Sequence, residues 1–295
     1  MNGDNIIHSY SKKCILKIKP SDLRKFILLN LFSLPFCVSA QIVHSSVSAT
    51  YPGLGAYSLN HVDIFSFHSN QAALAQVKNF SAGVYTERRF MLKELALYNA
   101  SLAMPTHSGN FGLDARYFGF ADYNETQLGL AYARSLGSKL DVGVQFNYYS
   151  VQIPGYGNAS SVNFEAGAIF HLTEKLNAGL HVYNPVGGKF GKDEQEKLSS
   201  VYSGGIGYEA SDKFFISTEI EKEEDQPVNV NAGIQYKFLP QLLARGGVST
   251  AASSFYLGIG IGWKSIRLDV TTSYHQQLGI TPGLMLIFNF NNKEN

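Results

Sequence analysis

Cysteine is nearly absent from this chain: 295 residues contain two, Cys14 and Cys37. Both lie in the first forty residues, so the remainder can form neither a disulfide framework nor a Cys-ligated metal site. Charge is also sparse. Only 16% of residues are charged and the formal net charge is +1, which excludes the basic field of a nucleic-acid binder. No apolar run reaches the roughly 20 residues that a spanning helix needs. There is no Gly-x-Ser-x-Gly elbow, no His-Glu-x-x-His and no phosphate loop, and the chain reads as a non-enzyme without a cofactor.

What is abundant is alternation. Val142, Val144, Phe146 and Tyr148 interleave with Asp141, Gly143, Gln145 and Asn147. Val228, Val230, Ala232, Ile234 and Tyr236 interleave with Asn229, Asn231, Gly233, Gln235 and Lys237. Side chains on a strand alternate between two faces, so each such segment has one apolar and one polar side. Fourteen segments of this kind are predicted: Phe80–Arg88, Leu92–Ala103, Asn110–Phe120, Thr126–Arg134, Leu140–Ser150, Val162–Leu172 and Leu176–Asn184, then Val201–Glu209, Phe214–Glu221, Val228–Phe238, Leu242–Ser249, Phe255–Lys264, Ile266–His275 and Thr281–Phe290. Lengths near ten residues and an even count fit an all-β fold, a transmembrane antiparallel β-barrel of about 14 strands. The rival is a soluble β-sandwich. Against it stand polar faces rich in Gly and amides, and aromatics near segment ends: Tyr148, Phe170, Tyr236, Phe238, Trp263, Tyr274 and Phe288.

The N-terminus reads as an export signal. Lys12, Lys13, Lys17, Lys19, Arg24 and Lys25 precede an apolar stretch from Phe26 to Phe36, and Val38-Ser39-Ala40 offers a cleavage site. The expected organisation is a signal peptide over 1–40, a plug segment over 41–77, the barrel over 78–290 and a short tail over 291–295. Within the plug segment, the stretch from Ser69 to Ala75 is expected to make a helical turn capped by Ser69 or Asn70. Short connections such as Ser135–Ser138 and Ala210–Asp212 belong on the periplasmic side, and the longer Pro185–Leu198 loop outside.

The stretch Gly129–Val144, together with Leu172–Leu180 and Val182–Gly187, resembles a hairpin that recurs in one barrel family. That family is similar to the long-chain fatty-acid outer-membrane transporters and includes barrels attached to the type IX secretion pathway. The resemblance implies fourteen strands and an N-terminal plug folded into the lumen, with a Gly-rich start followed by an Asn-Pro-Ala-x-Leu element. Gly53-Leu54-Gly55-Ala56 and Asn70-Gln71-Ala72-Ala73-Leu74-Ala75 stand at comparable places. Gln71 replaces the proline, and the acidic pair is reduced to Asp63. Plug residues are therefore expected at Gly53, Gly55, Asn70, Ala72 and Leu74.

Parity places Asp114, Arg116, Asp141, Glu165, His171, His181, Glu219, Glu221, Lys237, Arg245, Arg267, Asp269 and His275 inside. Mixed signs favour pairing that braces the wall over selection of one ion. His171, His181 and Glu165 have the composition of an open metal site, but hairpin neighbours are close by construction, and polar lining explains them; no metal is expected. Inward Phe118, Phe120, Tyr149, Tyr183, Phe215, Tyr256, Leu243, Met285 and Ile287 either line a hydrophobic-ligand pocket or pack on the plug around Phe65, Phe67 and Leu74. Gly258, Gly260 and Gly262 offer a bare inner face. The expected partners are outer-membrane lipid and either a small hydrophobic molecule in passive transport or the proteins of a secretion or surface-attachment complex.

Overall fold

The computed structural model describes residue 54 and residues 56–155, 157–187, 189–190, 196–250 and 254–290. The expected signal peptide, its cleavage site, Gly53, Gly55 and the 291–295 tail lie outside the described residues.

Fourteen strands close into an antiparallel barrel. The first seven strands are β1 (Phe80–Arg88), β2 (Ala96–Thr106), β3 (Gly109–Phe120), β4 (Tyr123–Ser135), β5 (Leu140–Ile153), β6 (Gly157–His171) and β7 (Leu176–Tyr183). A two-residue hairpin of β8 (Lys189–Phe190) and β9 (Glu196–Lys197) stands apart from the wall. The wall resumes with β10 (Val201–Glu209), β11 (Phe214–Glu223), β12 (Asn229–Leu239), β13 (Leu242–Ser249), β14 (Ser254–Trp263), β15 (Ile266–His275) and β16 (Gly279–Phe290). Each strand pairs with its sequence neighbour, β7 pairs with β10, and β1 closes on β16.

The usual partition of residues is inverted. On β14, Phe255, Leu257, Ile259, Ile261 and Trp263 are exposed, while Tyr256 is buried. Asp114, Glu165, Glu219, Arg245 and Asp269 are all buried inside. A soluble domain hides its apolar faces; here they form the outer skin. Exposed aromatics gather at two levels. Tyr98, Tyr117, Tyr202, Phe255 and Tyr274 stand near one end, and Phe80, Phe111, Phe170, Tyr236, Trp263 and Phe290 near the other. Phe255 and Trp263 are eight residues apart on one strand, about 20 Å of height at a tilt of roughly 40°, which is near the apolar band of a membrane barrel.

At one end, here the turn end, every connection has four residues or fewer. The opposite loop end carries the two longest, 89–95 and 184–200, and its other loops are short. The stretch 92–95, expected as strand, is not extended. Arg89–Met91 and Lys93–Leu95 are single 3-10 turns, and Phe90 and Met91 hold positive φ of 53° and 62°, which breaks the pleat before Ala96.

Residues 54 and 56–77 lie in the lumen, and glycines make the room for them. A Cβ at Gly83 would meet Phe65 at 2.7 Å, one at Gly179 the Tyr57 ring at 2.6 Å, and one at Gly233 Leu54 at 2.8 Å. At Gly143 it would strike the Gln71 backbone, and at Gly167 the Asn70 side chain. These inward glycines on β1, β5, β6, β7 and β12 form the bare face. The expected one on β14 does not serve the plug: at Gly260 the space is taken by Asp269 and Leu243, both from the wall. Overpacking costs about 1–3 kcal/mol, so Gly179→Val is expected to lower the thermal unfolding temperature in detergent micelles, whereas Ile259→Val on the exposed outer face should leave it nearly unchanged.

Candidate functional site

The plug opens with Tyr57, whose ring fills the space over Gly179 and Gly205 and whose hydroxyl donates to Glu219 at 2.5 Å. Burial, then the Glu219 carboxylate, pushes this phenol well above its ordinary pKa. The following turn is gathered by Glu209, which accepts from the Ser58 hydroxyl at 2.8 Å and the Leu59 N–H at 2.5 Å. Asn70 caps the 3-10 turn Gln71–Gln76, accepting from the Ala72 N–H at 3.0 Å. Its amide also donates to the carbonyl of Leu180 at 3.1 Å. At the far end of that turn, the wall amide of Asn110 donates to the carbonyls of Leu74 at 2.7 Å and Val77 at 2.8 Å. Ala72 and Leu74 are fully buried. The plug is thus tied at both ends of its longer 3-10 segment, a shorter one running over Ser66–His68.

Its charged tie is Asp63. The carboxylate accepts from the Phe65 N–H at 3.0 Å and faces Arg267 at 2.5 Å and Arg245 at 3.4 Å. Asp269 neutralises the same two guanidinium groups, at 3.0 Å from Arg267 and 3.3 Å from Arg245. Two carboxylates and two arginines therefore form a neutral quartet joining plug to β13 and β15. Arg245 also donates to Gln235 at 2.7 Å, and Gln235 donates to His61 Nδ1 at 2.6 Å. His61 stacks on Phe215 with ring centroids 5.3 Å apart. The expected bracing by opposite charges is present, with the plug as one of its members.

Polar groups on the opposite side act alike. Glu165 accepts from Gln71 at 2.5 Å and Asn147 at 2.6 Å, with His181 at 3.2 Å. His171 instead bonds Asp141 at 2.9 Å and Asn177 at 2.7 Å, so the two imidazoles belong to separate networks. Among the described residues no cluster of three or more His, Cys, Asp or Glu groups has metal-site geometry. Ser101, His68 and Asp114 are close, His68 Nε2 lying 2.9 Å from the Ser101 hydroxyl. However, Arg116 donates to Nδ1 at 3.1 Å, so Nε2 carries the proton and has no lone pair to activate the serine.

The expected ligand-lining residues do not converge. Phe118, Met285 and Ile287 join Tyr85 and Leu97 in one apolar cluster against plug residues Ile64, Phe65, Phe67, Leu74 and Val77. Phe215 and Tyr256 pack on Leu54 of the plug. Tyr149 packs with Val151 and Leu198, Tyr183 accepts from Asn163 at 3.1 Å, and Leu243 covers Gly260. Phe120 is not inward at all. Gly119 takes a φ of 108°, the alternation ends there, and Phe120 stands 38% exposed at the rim.

The largest apolar cluster is bracketed by two openings in the same sector of the wall. At the loop end, the last pair joining β1 to β16 is Glu87 with Gly283. Beyond it, Pro282 has no N–H to offer, and β1 departs into the 89–95 segment. A groove of about 270 Å³ results, lined by Thr86, Met91, Ala96, Tyr98, Pro282 and Leu284, with Glu87 and Gly283 at its inner side. Arg89 pairs with Glu87 at 2.9 Å and lies 5.2 Å over the Phe118 ring. At the turn end, a cavity of about 250 Å³ separates plug from wall, lined by Val62, Ile64, Val77, Ser81, Arg267 and Asn289 among others. Ile64 and Val77 belong both to this cavity and to the cluster. Tyr85 and Leu97 were not among the expected lining residues, although each occupies a buried position of its strand.

No family model matches the chain, and no curated protein matches it. Solved structures share its fold at low identity. A Pseudomonas aeruginosa FadL homologue aligns with TM-score 0.63 at 12% identity, covering 85% of this chain and 100% of that one. The Pseudomonas putida toluene transporter TodX aligns with TM-score 0.60 at 11% identity, covering 81% and 99%. The CymD monoaromatic hydrocarbon channel aligns with TM-score 0.59 at 12% identity, covering 81% and 95%. The chain thus has the fourteen-stranded barrel architecture of these proteins.

Two outcomes test the plug's ties. Asp63→Ala leaves two guanidinium groups, one buried and one partly exposed, facing a single carboxylate, a loss of about 3 kcal/mol for a broken buried pair; limited proteolysis in micelles should cut the plug faster than in wild type. Burial, then the Lys237 charge, lowers His61 to about 4, so its neutral form is the docked one. That contribution is fully present above pH 6.5 and is lost as pH falls through about 4. Proteolysis of the plug should quicken across that window, and the component due to this residue should vanish in His61→Gln.

Proposed function

We propose that this chain is an outer-membrane barrel for passive passage of small hydrophobic solutes. The observation that carries this reading is the position of the apolar cluster. It lies along the inner faces of β16, β1, β2 and β3, between a groove open to the outside of the wall and a cavity open at the turn end. A solute arriving from the membrane side meets Met91, Tyr98 and Leu284, then the Tyr85, Leu97, Phe118 and Met285 surface, then Ile64 and Val77. Elsewhere the lumen is crossed by charged and amide networks, where an apolar guest gains nothing. No gradient-coupling group is needed, because net passage follows the solute's own concentration gradient and the apolar contacts only lower the barrier. The names of the fold neighbours, a toluene transporter and a monoaromatic hydrocarbon channel, agree with such cargo. The outer skin and paired aromatic levels support placement in an outer membrane, with the turn end toward the periplasm.

The second reading is a structural barrel that supports a secretion or surface-attachment complex. It draws on the closeness with which plug atoms fill the glycine sites at mid-height. The two readings separate in cells whose lipopolysaccharide face blocks free entry of toluene. Cells displaying this chain should take toluene up faster than cells without it. Phe118→Asp and Met285→Asp should each slow uptake at least about tenfold, since a buried unpaired carboxylate costs several kcal/mol. Uptake equal to that of cells lacking the chain, with proteins co-purifying after mild solubilisation, would favour the structural barrel.

A further inference from the structure

The two ends of the barrel differ in charge in a way that neither the plug nor the apolar path uses. Among the described side chains of the turn end, Lys78, Arg134, Lys139, Lys175, Lys213 and Lys264 are exposed, against two exposed carboxylates, Glu174 and Asp212. Among those of the loop end, exposed Arg88, Lys93 and Lys222 face an equal number of exposed carboxylates, Glu94, Asp122 and Asp225. Among the described residues none of the six turn-end cations is in an ion pair. They are not one patch. Lys78 precedes β1, Arg134 and Lys139 flank the β4–β5 turn, and Lys175, Lys213 and Lys264 lie in the β6–β7, β10–β11 and β14–β15 turns. The ring skips only the two-residue turns after β2 and β12.

Depth is set by the aromatics. Lys78 lies two residues from Phe80, Arg134 two from Tyr132, Lys213 next to Phe214 and Lys264 next to Trp263. These aromatics mark the boundary of the hydrocarbon, so the cations stand one step beyond it, at headgroup level, where aliphatic stems rest on apolar surface and the charge reaches out. We propose that this ring binds the phosphate groups of anionic phospholipids in the adjoining leaflet, fixing the depth and orientation of the barrel. A protein partner would contact one arc. Charges spread around the circumference match a partner that surrounds the barrel, and lipid is that partner. The proposal rests on the membrane reading above but not on any cargo.

The test uses the full-length processed protein in nanodiscs of equal phosphatidylglycerol and phosphatidylcholine, solubilised mildly, with retained lipid counted by mass spectrometry. Wild type should retain at least about threefold more phosphatidylglycerol at low ionic strength, falling toward parity in about 0.5 M salt. Replacing the six turn-end cations by Gln should abolish the preference, while Arg88→Gln, Lys93→Gln and Lys222→Gln together should leave it intact. Equal retention of both lipids by wild type overturns the proposal, as does equal loss in the loop-end control. If inorganic phosphate protects the micellar protein from heat as well as phosphatidylglycerol does, the ring binds a free anion and the proposal fails. Should the six-site variant not insert, the salt dependence of wild type decides alone. A chain monodisperse in buffer without detergent defeats the membrane reading itself, an outcome distinct from these.

Discussion

Backbone hydrogen bonding in the absence of water is the constraint from which the rest of this molecule follows. A strand surrounded by hydrocarbon can satisfy its N–H and C=O groups only through neighbouring strands, and an open edge would leave a row of them unpaired. Closing β1 on β16 over eight residue pairs removes the edge for most of the height. Where closure stops, at Glu87 and Gly283, the residue beyond is Pro282, which has no N–H to leave unsatisfied. The gap in the β1–β16 ladder thus falls where its cost is least, and that is where the groove lies.

Closure also dictates what fills the interior. A fourteen-stranded barrel is too wide for its own side chains to meet across the axis, and here an inserted segment supplies the contacts that water would otherwise replace. Bulky inward residues would exclude it. Gly83, Gly143, Gly167, Gly179, Gly205 and Gly233 instead bring backbone within reach of plug atoms. Direct contact between plug and wall lets Asn70 and Asn110 bond carbonyls directly and lets Asp63 reach two arginines. The plug is therefore held in register by short polar contacts around the wall, joined on the β16–β3 side by apolar packing.

The wall was largely legible in the chain, because its signal has period two and repeats. The bounds of Phe80–Arg88, Val201–Glu209, Leu242–Ser249 and Ile266–His275 follow from alternation alone, and inward charges such as Arg245 and Asp269 follow from parity. Two kinds of feature escaped. Leu92 and Leu95 look like strand because they are apolar, yet left-handed Phe90 and Met91 intervene; Gly119 similarly turns Phe120 outward against its parity. The other kind depends on height. Parity says that Gly258 and Gly179 both face in, but not which of them lies opposite Tyr57. It says that Phe118, Tyr149 and Phe215 share the lumen, but not that they sit in three different clusters. Those distances run between residues far apart in sequence, and no local pattern encodes them.

The asymmetry of the plug's anchorage bears on how the interior can open. On the β12–β15 side, His61, Asp63, Gln235, Arg245, Arg267 and Asp269 bond one another in a connected set, so moving any one strands its partners. On the β16–β3 side, contacts of Phe65 and Phe67 with Tyr85, Phe118 and Met285 are non-directional, and an apolar guest of similar volume can replace them without leaving a polar atom unsatisfied. A solute that parts plug from wall on the apolar side leaves the polar anchorage intact. The plug then need not leave the barrel for the path to open; it need only yield on the side where a hydrophobic guest supplies the contacts it displaces.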